Sequence, residues 1–144
     1  MNTATTIRLT PKIKEELLNT LDLAEAYIGC DVKEQRLAIL GECPIDYDNK
    51  IKSISNKVVL STGFGFDILR SRSRKREITV TRQFAIYQIY NECYPDGLTL
   101  QSIGDIFNRD HSLVLHSVKQ IRTMIEVNDH LIRQIRHRYN ELEN

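Results

Sequence analysis

No run of 18 apolar residues occurs anywhere in the 144 residues of this chain, which excludes a hydrophobic membrane-spanning helix and leaves no membrane partner to expect. The opening Met1-Asn2-Thr3-Ala4-Thr5 has no apolar h-region, so no secretory signal is read there and a cytoplasmic location is expected. Cysteine is scarce: Cys30, Cys43 and Cys93 are odd in number and widely spaced. They fit reduced thiols in structural roles better than a disulfide framework or a metal site. No Gly-rich loop ends in Gly-Lys-Ser or Gly-Lys-Thr, so nothing is available to cradle nucleotide phosphates. Gly63-Phe64-Gly65 is too short for that task, lacks the lysine, and reads as a helix end. His111 and His116 do not share a helix face, while His130 and His137 lie two turns apart on an arginine-rich segment; both pairs read as surface residues. No serine or cysteine has a partner that sequence identifies as a base. An enzyme, a cofactor and a bound metal are therefore not expected.

Strand-like alternation, internal repeats and low-complexity segments are also missing. What is present is the composition of a globular protein, 41% hydrophobic and 27% charged, with enough length for one good core or two small helical units. The net charge of +1 conceals an asymmetry. Residues 1–50 hold six Lys and Arg against nine Asp and Glu, a net −3, and residues 51–144 hold fourteen against ten, a net +4. Most of the excess is local: Arg70, Arg72, Arg74, Lys75, Arg76 and Arg82 face the single Glu77. Such a patch suits phosphates.

Apolar spacing gives an all-α reading. Thr10-Pro11 opens a helix whose Ile13, Leu17, Leu21, Ala24 and Ile28 form one stripe, ending near Gly29. A shorter helix is expected from Asp31 to about Leu40. Another begins around Asp46 to Asp48 and carries Ile51, Ile54, Val58 and Val59 until Gly63. Phe66, Ile68 and Leu69 make a short apolar anchor ahead of the basic loop. A helix from about Thr81 to Cys93 turns Ala85, Ile86, Ile89 and Tyr90 inward, and Pro95-Asp96-Gly97 is turn chemistry. Thr99 then caps a short helix through Leu100, Ile103 and Phe107, Asn108 and Arg109 make a turn, and Asp110 caps the next helix. The last helix, about Asn128 to Leu142, buries Leu131, Ile135, Tyr139 and Leu142. A boundary near Pro44 separates residues 1–45, an acidic helical appendage, from the main domain at 46–144.

The helix after Asp110 has two clean faces. Val114, Val118, Ile121 and Ile125 share the spacing of a core stripe. Ser112, His116, Lys119 and Thr123 repeat that spacing about 200° away around a helix of 3.6 residues per turn. With His111 and Leu113 in the first turn, that polar face is placed as a helix-turn-helix places its base-contacting residues. A cationic loop a short distance away completes a reader for both grooves of one DNA site.

Ser73 to Arg76, Thr81 to Ala85, Ile103-Gly104 and Arg109 to His116 also follow a known string in order and at close to its spacing. In them the chain resembles the C-terminal DNA-binding domain of the bacterial replication initiator DnaA, over roughly residues 50 to 144. The resemblance implies that Asp110, His111, Ser112 and His116 touch base edges in the major groove. It implies that Arg109, Lys119, Arg82 and Gln83 hold phosphates, and that Arg74, eight residues before Arg82, enters the adjoining minor groove. Arg72, Lys75 and Arg76 add phosphate contacts, with Arg72 or Arg76 able to replace Arg74.

Two departures from the family pattern bear on specificity. Leu113 stands where the family usually has Thr or Ser, so its contact is apolar, as with a thymine methyl. The family often has Gly-Gly before the Arg, and here only Asn108 fills that turn, a residue that tolerates the left-handed conformation. The implied function is sequence-specific binding of double-stranded DNA at DnaA-box-like sites, acting in or regulating replication initiation of a chromosome, phage or mobile element. The alternative is a protein-interaction adaptor that keeps the fold without the DNA specificity. Residues 10–29 are the expected surface for a homodimer or a replication-protein partner.

Overall fold

The computed structural model describes residues 9–44 and 47–143. Met1 to Thr5, read above for a leader, and Asp46 lie outside these residues. Eight helices, and no strand, occur among the described residues: α1 Pro11–Ile28, α2 Lys33–Leu40, α3 Asn49–Thr62, α4 Phe66–Arg70, α5 Arg76–Cys93, α6 Leu100–Ile106, α7 His111–Glu126 and α8 His130–Leu142. Thr10 and Thr99 cap their helices as expected, and Asp48 and Asp129 cap two more. Thr10 accepts from the Ile13 amide, Asp48 from Lys50, Thr99 from Ser102, and Asp129 from Leu131 and Ile132, each occupying amides that a helix start leaves unpaired.

Helix α5 is the centre of the molecule, packed on α3, α4, α6, α7 and α8. Val58, Val59, Leu69, Phe84, Ala85, Ile89, Ile103, Phe107, Val114 and Ile121 are fully buried around it. Each large apolar side chain so removed from water contributes about 1.5–3 kcal/mol. Phe84 meets Tyr139 of α8 edge-on at 5.4 Å, and Phe66 of α4 meets Phe107 at 5.8 Å, which ties both ends of the bundle to the centre.

Three elements differ from expectation. Residues 66–70 close into a helical turn instead of a bare anchor. Helix α5 starts at Arg76, five residues before Thr81, because Ile78 and Val80 are buried and draw the cationic stretch into the helix. In α8 the buried stripe is Ile132, Ile135 and Tyr139, with Leu131 and Leu142 only half-buried.

The N-terminal helices are attached unequally. Leu37 and Leu40 of α2 pack against the main core, Cys43 belongs to it, and the Phe66 amide donates to Gly41 O at 2.8 Å. Gly65 permits that approach, since a Cβ there would stand 1.7 Å from the Leu40 carbonyl oxygen. Helix α1 contains no buried residue. It rests on α2, where Arg36 pairs with Asp22 and Glu25.

Candidate nucleic-acid interface

Helices α6 and α7 form a helix-turn-helix whose turn is set by backbone geometry. Arg109 N donates to Gly104 O at 2.8 Å, and Asn108 takes a left-handed φ of 55°. A Cβ on Gly104 would come within 2.5 Å of the Arg109 carbonyl oxygen, so only glycine lets the turn close onto α6. Beyond the turn, α7 buries Val114, Ser117, Val118, Ile121 and Met124, and Ile125 is half-buried. Ser112, His116, Lys119 and Thr123 are exposed on the opposite side.

The first turn of α7 departs from its expected chemistry. Asp110 occupies the N-cap position with extended backbone, but its side chain makes no capping bond. Its Oδ1 lies 2.8 Å from His111 Nδ1 instead, so carboxylate and imidazole are presented to solvent as a pair. Leu113 is 42% exposed, a large apolar surface at the helix start. A groove of about 670 Å³ opens beside His111, which lines it together with Tyr94, Thr99 and Gln101 among others.

The basic loop lies against the turn that precedes α7. Arg109 Nη2 donates to Ser71 O at 2.6 Å, and Arg70 Nη2 donates to Asn108 Oδ1 at 3.1 Å. These contacts join segments 38 residues apart. Arg72, Arg74 and Lys75 are exposed. Arg76 is exposed too but pairs with Asp129 at 3.3 Å, which offsets part of its charge. Gln83 is half-buried, and Lys119 stands free of the core on α7.

Arg82 is a correction. Expected on a phosphate, it is only 6% exposed, and its guanidinium faces the protein. Nε donates to Leu69 O at 2.6 Å, while Nη2 donates to Ser71 O at 3.0 Å and to Ser73 O at 3.3 Å. Burial, followed by the nearby Arg109 charge, pulls its pKa down to about 10, so it stays charged at neutral pH. Arg109 is likewise turned inward in part, with Nη1 on the carbonyls of Phe107 and Asn108. The phase of Arg82 was the available signal: it falls at i+4 in the stripe Ile78, Ala85 and Ile89, which is visible once the helix is begun at Arg76. Nothing in the pattern points to Arg70 and Asn108 as a pair.

An all-helical domain with a tight turn, a free polar face on the second helix and a cationic loop beside it defines the DNA-binding helix-turn-helix class. The family is particular: residues 51–121 match the bacterial DnaA protein helix-turn-helix, and that segment is a DnaA-type helix-turn-helix domain. Over 138 residues, 91% of this chain, it is 31% identical to the chromosomal replication initiator protein DnaA of Oleidesulfovibrio alaskensis, of which it spans 26%. It is 37% identical over 68 residues to chromosomal replication initiator protein DnaA 1 of Chlamydia pneumoniae, covering 47% of this chain and 14% of that one. With the DnaA of Bacteroides thetaiotaomicron it shares 39% identity over 59 residues, 41% of this chain and 12% of the relative. The chain thus spans about a quarter or less of the length of these relatives. No solved structure gives a significant match.

Proposed function

We propose that the chain binds double-stranded DNA sequence-specifically at DnaA-box-like sites and acts in, or regulates, replication initiation by binding rather than by catalysis. The observation that carries this reading is the exposed face of α7 standing beside a cationic loop that is tied to the helix-turn-helix by Arg109 and Ser71. In this arrangement Asp110, His111, Ser112 and His116 read base edges in the major groove, and Leu113 packs on a thymine methyl. Arg74 enters the adjoining minor groove. Arg72, Lys75, Arg76, Gln83, Arg109 and Lys119 hold phosphates, Arg76 more weakly because of Asp129. The decisive experiment compares a labelled duplex carrying an initiator box with a scrambled duplex near physiological salt. Tighter binding of the box supports the reading, and equal binding removes it.

A second reading is favoured by one observation, the solvent-facing apolar surface of α1, where Leu23, Tyr27 and Ile28 are all exposed beside acidic side chains. An adaptor role would use this surface for a second copy of the chain or for a replication protein. The two readings are compatible if residues 1–45 dock the partner while residues 46–144 hold the DNA.

A further inference from the structure

A guanidinium presents its N–H donors in a rigid planar fork, a geometry matched to carboxylates and phosphates. Arg82 directs that fork at three backbone carbonyls, those of Leu69, Ser71 and Ser73. These carbonyls belong to the end of α4 and the first half of the basic loop, the half that leads into Arg74. Ser71 O is shared, since Arg109 of the helix-turn-helix turn donates to it as well. Arg70, one residue earlier, reaches Asn108 in that same turn. Three arginines from separate elements therefore converge around residues 69–73. Among the described residues, their hydrogen bonds end on carbonyl and amide oxygens rather than on carboxylates.

Burying a cation beside a second cation is costly, and an apolar side chain at position 82 would continue the stripe of Ile78, Ala85 and Ile89. What arginine adds there is a fixed course for the loop backbone. We infer that Arg82 is a positioning residue: with Arg109 and the Arg70–Asn108 contact it latches the basic loop to the helix-turn-helix turn. The latch presets the offset between the base pairs read by α7 and the minor-groove step reached by Arg74. This rests on the proposed DNA-binding function and deepens it, because the spacing of the two contacts is built into the free protein. A loop held in place before binding avoids the cost of ordering on the DNA.

The test uses the full chain and three duplexes: an initiator box with an AT-rich flank at its native offset, the same flank displaced by one base pair, and a scrambled box. Wild type is expected to prefer the native offset to the displaced flank by about tenfold, the scale of one good minor-groove arginine contact. Arg82→Lys keeps the charge but lacks the planar fork, so it should bring the offset ratio near one while lowering the box-to-scrambled ratio far less. Asn108→Gly, which keeps a residue suited to the left-handed turn, should lower the offset ratio in the same direction. In the free protein, hydrogen exchange at residues 72–75 should quicken in Arg82→Lys while α7 stays protected.

Two outcomes overturn the latch alone. One is an offset ratio that survives in both variants. The other is a common weakening on all three duplexes by Arg82→Gln, with a salt slope reduced by about 0.9 and restored by Arg82→Lys, which marks a phosphate contact instead. Wild-type protein that binds box and scrambled duplexes equally overturns the DNA reading and the latch with it.

Discussion

At the scale of single residues, the interface separates side chains that face solvent from those that shape the backbone. His111 is exposed and paired only with Asp110, so His111→Ala should fold normally. It should cost about 1–3 kcal/mol on the preferred duplex and leave non-specific binding nearly intact. A titration of the two duplexes with this variant checks the assignment, and undiminished discrimination would remove His111 from the base-reading set. Gly104 makes the opposite prediction. Its missing Cβ is what lets Arg109 O approach, so Gly104→Ala should destabilise the fold by about 1–3 kcal/mol through overpacking. The shifted turn should weaken box binding as well. Urea unfolding together with duplex titration reads both effects, and wild-type values in both would show that the turn yields without strain. Residue identity alone did not separate these roles. Arg82 and Arg74 look equivalent in a charge count, and only the phase of Arg82 in the apolar stripe of α5 distinguishes the buried one.

At the scale of elements, periodicity made α1, α3, α6 and α7 legible, because each has a consistent apolar stripe and a residue of capping type at its start, although Asp110 of α7 pairs with His111 instead of capping. The start of α5 was hidden for a physical reason. Ile78 and Val80 follow four cations in five residues with Glu77 between, and charge there masks the onset of burial. The consequence is a basic loop shorter than the cationic run implies, with Arg76 already at the first position of the helix. Arg76 also meets Asp129, the N-cap of α8. The loop cations should therefore contribute unequally to DNA binding. Arg74→Ala should weaken duplexes with AT-rich flanks more than those with GC-rich flanks, since a narrow A·T minor groove concentrates negative potential. Equal losses on both flanks would make Arg74 a phosphate contact. Replacing Arg72, Lys75 and Arg76 together should flatten the dependence of log affinity on log salt by up to about 0.9 for each phosphate no longer neutralised, and Arg76→Ala alone should account for the smallest share.

At the scale of the whole molecule, the question is what the N-terminal helices are attached to. The apolar stripe of α1 was legible in the sequence, but its covering was not, because periodicity reports a face and never its partner. Within one chain that face stays partly open: Ile28 is 77% exposed and Ile13 43%, while Leu21 and Ala24 are half-buried, and Tyr27 beside the stripe is exposed as well. Helix α2 is different, since Leu37 and Leu40 pack on the main core and Cys43 N donates to Asn56 Oδ1 at 2.9 Å. A fragment beginning at Asp31 should therefore fold with only a modest loss in unfolding midpoint, because the helix it lacks contains no fully buried residue and rests on α2 rather than on the main core. A fragment beginning at Pro44 loses more. Uncovering the core beneath Leu37 and Leu40 and removing Cys43 should cost about 3–6 kcal/mol, which a domain of ordinary stability, about 5–15 kcal/mol, survives with a lowered midpoint. Since residues 1–50 carry net −3, neither truncation removes an attraction for DNA, and duplex affinity should stay within about tenfold, roughly 1.4 kcal/mol. Sedimentation of the three chains identifies what covers α1: the full chain is expected to dimerise, and both fragments to run as monomers. Tyr27→Glu in the full chain should do the same without shortening it. A full chain that sediments as a monomer assigns the stripe to a different protein, and a Pro44 fragment that cannot fold moves the boundary between the two parts to the α1–α2 junction.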